Sequence, residues 1–216
     1  MTDWAARRRK MVAMHRRRGE VRDERVLAAM ADVPREEFVP EAVRDRSYDE
    51  CALPIGDGQT ISQPYVVTLM TAALELEPTD RVLEVGTGSG YQSAVLARLA
   101  ARVVSVERLA ELAAEAEARF TRLGIEGIEV RVADGSLGWP DEAPYDAIVV
   151  TAGGPMIPPA LLGQLAPGGR LVMPVGPSEA QDLVRIDVAA DGSSRRRDLG
   201  AVAFVPLIGD QGWHEP

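Results

Sequence analysis

The stretch Arg81-Val82-Leu83-Glu84-Val85-Gly86-Thr87-Gly88-Ser89-Gly90-Tyr91 changes character twice within eleven residues. An apolar, β-branched run predicts a strand over 81–85, three glycines at alternate positions predict a tight turn, and a helix is expected over 90–100. The same alternation continues downstream. Residues 102–106 read as a second strand, an Ala/Glu-rich helix follows over 108–122, and further strands are expected at 128–132, 145–151 and 169–175. A Pro-rich turn with a short helix falls at 155–165. Strands alternating with helices build right-handed βαβ units, and so a largely parallel sheet covered on both faces. The end of the chain departs from that rhythm. Residues 182–189 and 199–206 are strand-like, and Asp191-Gly192 between them signals a hairpin. The expected class is α/β, a mostly parallel sheet finished by a C-terminal β-hairpin.

Upstream of the glycine turn, 3–18 and 23–31 read as helices separated by Gly19, with Asp23 as the N-cap of the second. Pro34 and Pro40 open a turn-rich connector that runs to about residue 62. Connectors of that length in a compact protein usually serve as lids or binding segments. From Pro64 to Leu76, Val66, Val67, Leu69, Met70, Ala73 and Leu74 recur at helical spacing. The chain therefore divides into N-terminal helices with a covering loop, 1–62, packed on a main domain, 63–216.

In open α/β sheets, ligands bind at the carboxyl ends of strands, where the Gly86–Gly90 turn lies. Its spacing is Gly-x-Gly-x-Gly, which differs from the Gly-x-Gly-x-x-Gly that presents a helix N-terminus to a dinucleotide pyrophosphate. A zwitterionic amino-acid tail fits instead, with Glu84 placed to organise the turn around an ammonium, and Gly86, Thr87, Gly88 and Ser89 forming the turn itself. Glu107 ends the second strand, 21 residues after Gly86 (107 − 86), where an acid can accept two ribose hydroxyls. Ala133-Asp134-Gly135 follows the third strand, placing a carboxylate and an amide for an adenine edge. Each signal alone has a plainer reading: a tight turn, a helix-capping glutamate, an Asp-Gly turn. Together, at three successive strand ends, they point to S-adenosylmethionine as cofactor.

Composition closes other routes. Only two histidines, His15 and His214, and one cysteine, Cys51, occur among 216 residues, so neither histidine-based proton transfer nor a zinc site is expected; the metal expectation is none. A net charge of −9 argues against wholesale nucleic-acid binding, although Arg7, Arg8, Arg9, Lys10, Arg16, Arg17 and Arg18 crowd the N-terminus, most simply as a solvated helix face. No apolar run approaches the roughly 20 residues needed to span a bilayer, and no apolar segment follows the N-terminal charges as in a secretion signal. A cytoplasmic monomer without membrane or nucleic-acid partners is the expectation.

With its flanks, the glycine turn resembles motif I of the seven-stranded S-adenosylmethionine-dependent methyltransferases, whose sheet is Rossmann-like. A second block, Leu53-Pro54-Ile55-Gly56-Asp57-Gly58-Gln59-Thr60-Ile61-Ser62-Gln63-Pro64-Tyr65, resembles the signature of the protein-L-isoaspartate O-methyltransferases. Phe38-Val39-Pro40, Ser47-Tyr48-Asp49, Val149-Val150-Thr151-Ala152, Pro167-Gly168-Gly169, Pro174-Val175-Gly176 and Phe204-Val205-Pro206-Leu207 agree with it, so the likeness covers about residues 11–213. It implies transfer of a methyl group to the free α-carboxylate of L-isoaspartyl residues in damaged proteins and peptides, leaving S-adenosyl-L-homocysteine. The methyl ester closes to a succinimide, part of which opens to normal aspartate. By the same likeness Glu84, Gly86, Gly88, Glu107 and Asp134 hold the cofactor. Thr60, Ile61 and Ser62, with Val205, Pro206 and Leu207, line the substrate, and Ser62 is the active-site serine that hydrogen-bonds its carboxylate. Ala133 stands where the family often has glycine, and Asp57 carries no assigned role.

A carboxylate is already ionised at neutral pH, so the reaction needs alignment and desolvation of the nucleophile rather than a general base. Ser62 has a second reading as N-cap of the helix that begins at Pro64. Tyr65 reads as a wall residue and Cys51 as a small buried hydrophobe. The nearest rival function is a carboxyl methyltransferase of the same fold acting on one small molecule or peptide. A nicotinamide dehydrogenase would require the wider glycine spacing, and a nucleic-acid binder would depend on the basic N-terminal helix against the overall charge.

Overall fold

The computed structural model describes residues 2–214. Two helices, α1 (Trp4–Arg18) and α2 (Glu24–Asp32), precede a small hairpin of β1 (Leu53–Gly56) and β2 (Gln59–Ile61) and the helix α3 (Pro64–Ala73). The sheet then unfolds in order: β3 (Arg81–Val85), α4 (Tyr91–Leu96), β4 (Arg102–Glu107), α5 (Ala110–Leu123), β5 (Ile128–Val132), β6 (Tyr145–Val150), α6 (Pro159–Leu162), β7 (Leu165–Val175), β8 (Gln181–Val188) and β9 (Ser194–Val202). The spatial order is β5-β4-β3-β6-β7-β8-β9. The strands from β3 to β7 pair parallel, while β8 and β9 pair antiparallel. This is the seven-stranded, Rossmann-like arrangement expected, with the chain reversing its direction of winding beside β3.

The strand pleat sorts β3 into two faces. Leu83 and Val85 join Val104, Val106, Ile148, Val150, Leu171 and Met173 in a core that Leu161 of α6 and Leu207 of the tail cover. Val82 turns the other way, to Met70 of α3, Leu74 at its C-cap and Leu96 of α4. The N-terminal helices have no core of their own: Met11, Val12, Leu27 and Met30 pack with Tyr91, Ala94 and Phe120. Burying side chains of this size is worth about 1.5–3 kcal/mol each, which ties the N-terminal helices to the face above α4 and α5.

Some of the basic residues of α1 are tied back to the chain. Arg7 and Arg8 donate to the carbonyls of Asp45 (2.5 Å) and Asp32 (3.1 Å), Arg16 pairs with Glu24 (2.5 Å), and Arg18 lies 4.1 Å over the Tyr65 ring. His15 is fully buried between Glu50 Oε1 (2.7 Å) and Thr68 Oγ1 (2.9 Å). Met11, Val12 and His15 are the buried side of α1, and its basic residues other than Arg8 stay exposed, the solvated face expected.

Three expectations change. The connector before residue 62 contains the β1–β2 hairpin, turned at Asp57 (φ 49) and Gly58 (φ 69). The last strand lies at Ser194–Val202 and not at 199–206; residues 203–207 leave the sheet and return to Gly153, which pairs with Pro206. Cys51 is half-buried rather than buried, packs against the hydrophobic cluster of the N-terminal helices and takes a long contact from Arg46 (3.7 Å).

Candidate active site

The glycine turn leaves β3 where β4 lies on one side and β6 on the other, the position at which open sheets bind ligands. Its backbone is held from three directions. The amide of Gly86 donates to the Val106 carbonyl (2.8 Å), that of Gly88 to Glu107 Oε2 (2.9 Å), and that of Gly90 back to the Thr87 carbonyl (2.8 Å). Thr151, at the end of β6, donates its hydroxyl to the Gly86 carbonyl (2.7 Å) and its amide to that of Val85 (2.9 Å).

Below this turn lies Glu84, fully buried on the α4 side of β3. Its Oε2 accepts from Ser105 (2.6 Å) and from Ser93, whereas Oε1 has no partner. Burial pushes the carboxyl up to about 7, with repulsion from Glu107 adding to it; the two serine hydroxyls oppose the shift and lose. An acceptor left unpaired in this way costs about 1–3 kcal/mol, so the position is built to receive a donor.

Glu107 closes β4 almost buried, taking the amides of Gly88 on Oε2 and Leu109 on Oε1 (3.0 Å). Each oxygen keeps a second lone pair, as acceptance of vicinal hydroxyls requires. Asp134 is anchored by its own neighbours and by the tail. Its Oδ1 accepts the amide and hydroxyl of Ser136 (2.8 and 2.7 Å), and Oδ2 accepts the amide of Asp210 (2.8 Å).

A cleft opens between these groups. Gly86, Thr87, Gly88, Ser89, Glu107 and Gly135 line it on the β3–β5 side; Thr60, Ile61, Ser62, Tyr91 and Gln92 line it on the hairpin and α3–α4 side; Thr151, Ala152, Val205 and Leu207 complete it. Glu84 and Asp134 are absent from this lining, one lying beneath the turn and the other behind Gly135. Pro206 is also outside it, although the residues on either side face in. Of the residues expected to hold a cofactor, those of the turn, Glu107 and Gly135 therefore meet in one place.

A second hollow abuts the first. It is lined by Thr60, Ser62, Gln63, Val66, Thr151, Glu179 and the stretch 201–205, and it shares Thr60, Ser62, Thr151 and Val205 with the cleft. Ser62 thus stands where the two meet. The N-cap of α3 is Gln63, without a side-chain cap, so the capping role expected for Ser62 is not taken up. Its hydroxyl has no hydrogen-bond partner among the described residues, while its carbonyl accepts from Arg35 Nη2 (2.6 Å). Arg35 is fully buried, also holds the Ser47 carbonyl (2.7 Å), and lies 4.7 Å over the Tyr91 ring.

The tail seals the far wall. Gly153 and the segment 205–207 exchange backbone hydrogen bonds of 2.8 Å, and the Trp213 indole donates to the Gly153 carbonyl (3.1 Å). Residues missed at the level of sequence are Arg35, Gln92 and Thr151. Thr151 and Gln92 could have been found from their places, at the end of a central strand and two residues past the glycine turn. Arg35 has no signal, since nothing in a Pro-Arg-Glu-Glu run announces burial. No group of His, Cys, Asp and Glu among the described residues is arranged to hold a metal ion.

Comparison with known proteins agrees with this arrangement. The family described as Protein-L-isoaspartate(D-aspartate) O-methyltransferase (PCMT) matches residues 6–212. A protein-L-isoaspartate O-methyltransferase of Methanoculleus marisnigri is 57% identical over 206 residues, 95% of this chain and 93% of its own. A protein-L-isoaspartate O-methyltransferase 1 of Rhodopseudomonas palustris strain HaA2 is 55% identical over 98% of this chain and 87% of its own. Among solved structures, a protein-L-isoaspartate O-methyltransferase superposes with a TM-score of 0.85 at 31% identity, over 95% of this chain and 67% of that one. A Plasmodium falciparum beta-aspartate methyltransferase (PCMT) structure in complex with S-adenosyl-L-homocysteine gives 0.79 at 25% identity, over 93% and 98%.

Proposed function

Since this chain belongs to the protein-L-isoaspartate(D-aspartate) O-methyltransferase family, we propose that Ser62 presents the acceptor carboxylate to a methyl donor lying over the Gly86–Ser89 turn. The protein is an S-adenosylmethionine-dependent repair enzyme that methylates the free α-carboxylate of L-isoaspartyl residues in damaged proteins and peptides. The rival reading, a specialised acceptor on the same fold, is not favoured, because relatives sharing more than half of their residues over nearly the whole chain carry the isoaspartate name.

The observation that carries the site reading is the placement of Ser62 at the only residues common to the cleft and the adjoining hollow, with its hydroxyl free of other partners among the described residues. The donor set suits the cofactor: unpaired acceptors near the turn for an ammonium, a carboxylate with spare lone pairs for two hydroxyls, and the Gly135 backbone for a purine edge. S-adenosylmethionine, when bound, supplies a methyl group activated on a positively charged sulfur. The protein's own part is positional. Glu107 and the turn amides fix one end of the ligand, and Glu84 supports the turn from below. Asp134 keeps Gly135 and the tail in register, and its Oδ2 keeps a lone pair for the adenine edge. Thr60, Ile61, Val205 and Leu207 wall off the acceptor, with Pro206 fixing the turn of the tail between them. Arg35 locks the Ser62 backbone, so the serine hydroxyl can donate to one carboxylate oxygen and leave the other directed at the cofactor. No proton leaves the carboxylate, so no base is required.

Residues 1–62 act in this reading as the cover of the site. No helix among the described residues is long and apolar enough to cross a membrane. We place the enzyme in the cytoplasm on its lone cysteine, and acting without nucleic acid on its negative net charge, with a monomer as the proposed form. The test is Ser62→Ala. Losing one hydrogen bond to a charged acceptor costs about 1.5–3 kcal/mol, which lowers turnover about 10- to 150-fold while binding of S-adenosyl-L-homocysteine stays unchanged. Wild-type turnover in the variant would remove Ser62 from the mechanism.

A further inference from the structure

Gln92 lies in the first turn of α4, lines the cleft and is 7% exposed. Its amide is oriented by a chain of donors and acceptors. The Thr71 hydroxyl donates to the Val67 carbonyl (2.8 Å), so its single proton is used and toward Gln92 it can only accept. The Gln92 group facing Thr71 (2.8 Å) must therefore be the amide nitrogen, which leaves Oε1 as the atom without a partner. A flipped amide would put two acceptors against each other. The molecule thus keeps a pre-oriented, buried, neutral acceptor on α4, in a residue that lines the same cleft as Glu107.

We infer that Gln92 Oε1 accepts a hydrogen bond from the ammonium of the cofactor's amino-acid tail. The placement matches. Glu107 and Gly135 occupy the β4–β5 side of the cleft and suit the nucleoside, so the tail extends toward Tyr91, Gln92 and Ser62. An ammonium brings three donors, and the buried acceptors without partners around the glycine turn are Glu84 Oε1 and Gln92 Oε1 among the described residues. Of the two, Gln92 lines the cleft and Glu84 lies beneath the turn, outside the lining. The inference rests on the cofactor reading of the cleft.

The experiment compares two ligands by calorimetry: S-adenosyl-L-homocysteine, and 5′-methylthioadenosine, which keeps the nucleoside and lacks the amino-acid tail. Gln92→Leu should weaken S-adenosyl-L-homocysteine at least about tenfold and leave methylthioadenosine within twofold of wild type. Gln92→Met serves the same comparison if the leucine variant fails to fold. Equal losses for both ligands would make Gln92 a structural residue and overturn the proposal, as would no loss for either. Failure of the wild-type protein to bind either ligand would overturn the cofactor reading itself, and this proposal with it.

Discussion

Glu84 is a single carboxyl whose surroundings decide its charge. Placed under the turn by the pleat of β3, it is bonded by two hydroxyls and yet raised to about 7 from 4.5 by burial. The folded value lies above the unfolded one, so its contribution to stability is whole below about pH 4.5 and is lost as pH rises through about 7. Without ligand, Glu84→Gln should match the wild-type protein near pH 5 and exceed its stability near pH 8, by at most about 3 kcal/mol. Urea titrations at the two pH values read this directly, and a difference between the proteins that does not move with pH would contradict it. That Glu84 matters was legible in the sequence from its place before Gly86. That it supports the turn from beneath was not, because strand alternation assigns a face but not the depth of what covers it. Asp134 shows the same limit. Its position after β5 was readable, but the Asp210 amide that occupies it comes from 76 residues away.

Elements were read well where local chemistry and packing coincide. The bounds of β3 and β5 match because runs rich in β-branched residues end at strong turn formers. The misplaced last strand has the opposite cause. Ser194–Asp198 is charged and exposed at the sheet edge, and shows no apolar alternation to detect, whereas the apolar 203–207 run packs as a wall of the cleft. The β1–β2 hairpin carried a usable signal in Asp57-Gly58, the same dipeptide type that marked the later hairpin, but its strands are too short to stand out. Two helix-end glycines allow a direct test of what such positions require. Gly124, after α5, has φ 62 and nothing within 4 Å of an added Cβ, while Gly90, before α4, has φ 86 and would set that Cβ 2.6 Å from Phe120 Cζ. Gly124→Ala should cost about 1–2 kcal/mol from the left-handed backbone alone. Gly90→Ala should cost roughly 1–3 kcal/mol more, because Phe120 has to move. Equal losses in denaturant titrations would refute the packing explanation.

At the scale of the molecule, the chain reversal beside β3 and the return of the tail to Gly153 bring five separated segments to one cleft: the hairpin block, the glycine turn, the ends of β4 and β6, and 205–207. The sheet and the cofactor end of this cleft follow from periodicity and strand-end chemistry. The acceptor end was readable only through resemblance, since a free serine hydroxyl and a buried arginine behind it leave no pattern in a single sequence. The most direct measurement is methyl transfer from labelled S-adenosylmethionine to paired peptides, one carrying L-isoaspartate and the other normal aspartate at the same position. Base-labile label should appear on the isoaspartyl peptide alone. Equal labelling of both peptides, or of neither while S-adenosyl-L-homocysteine still binds, would contradict the assignment of the acceptor site.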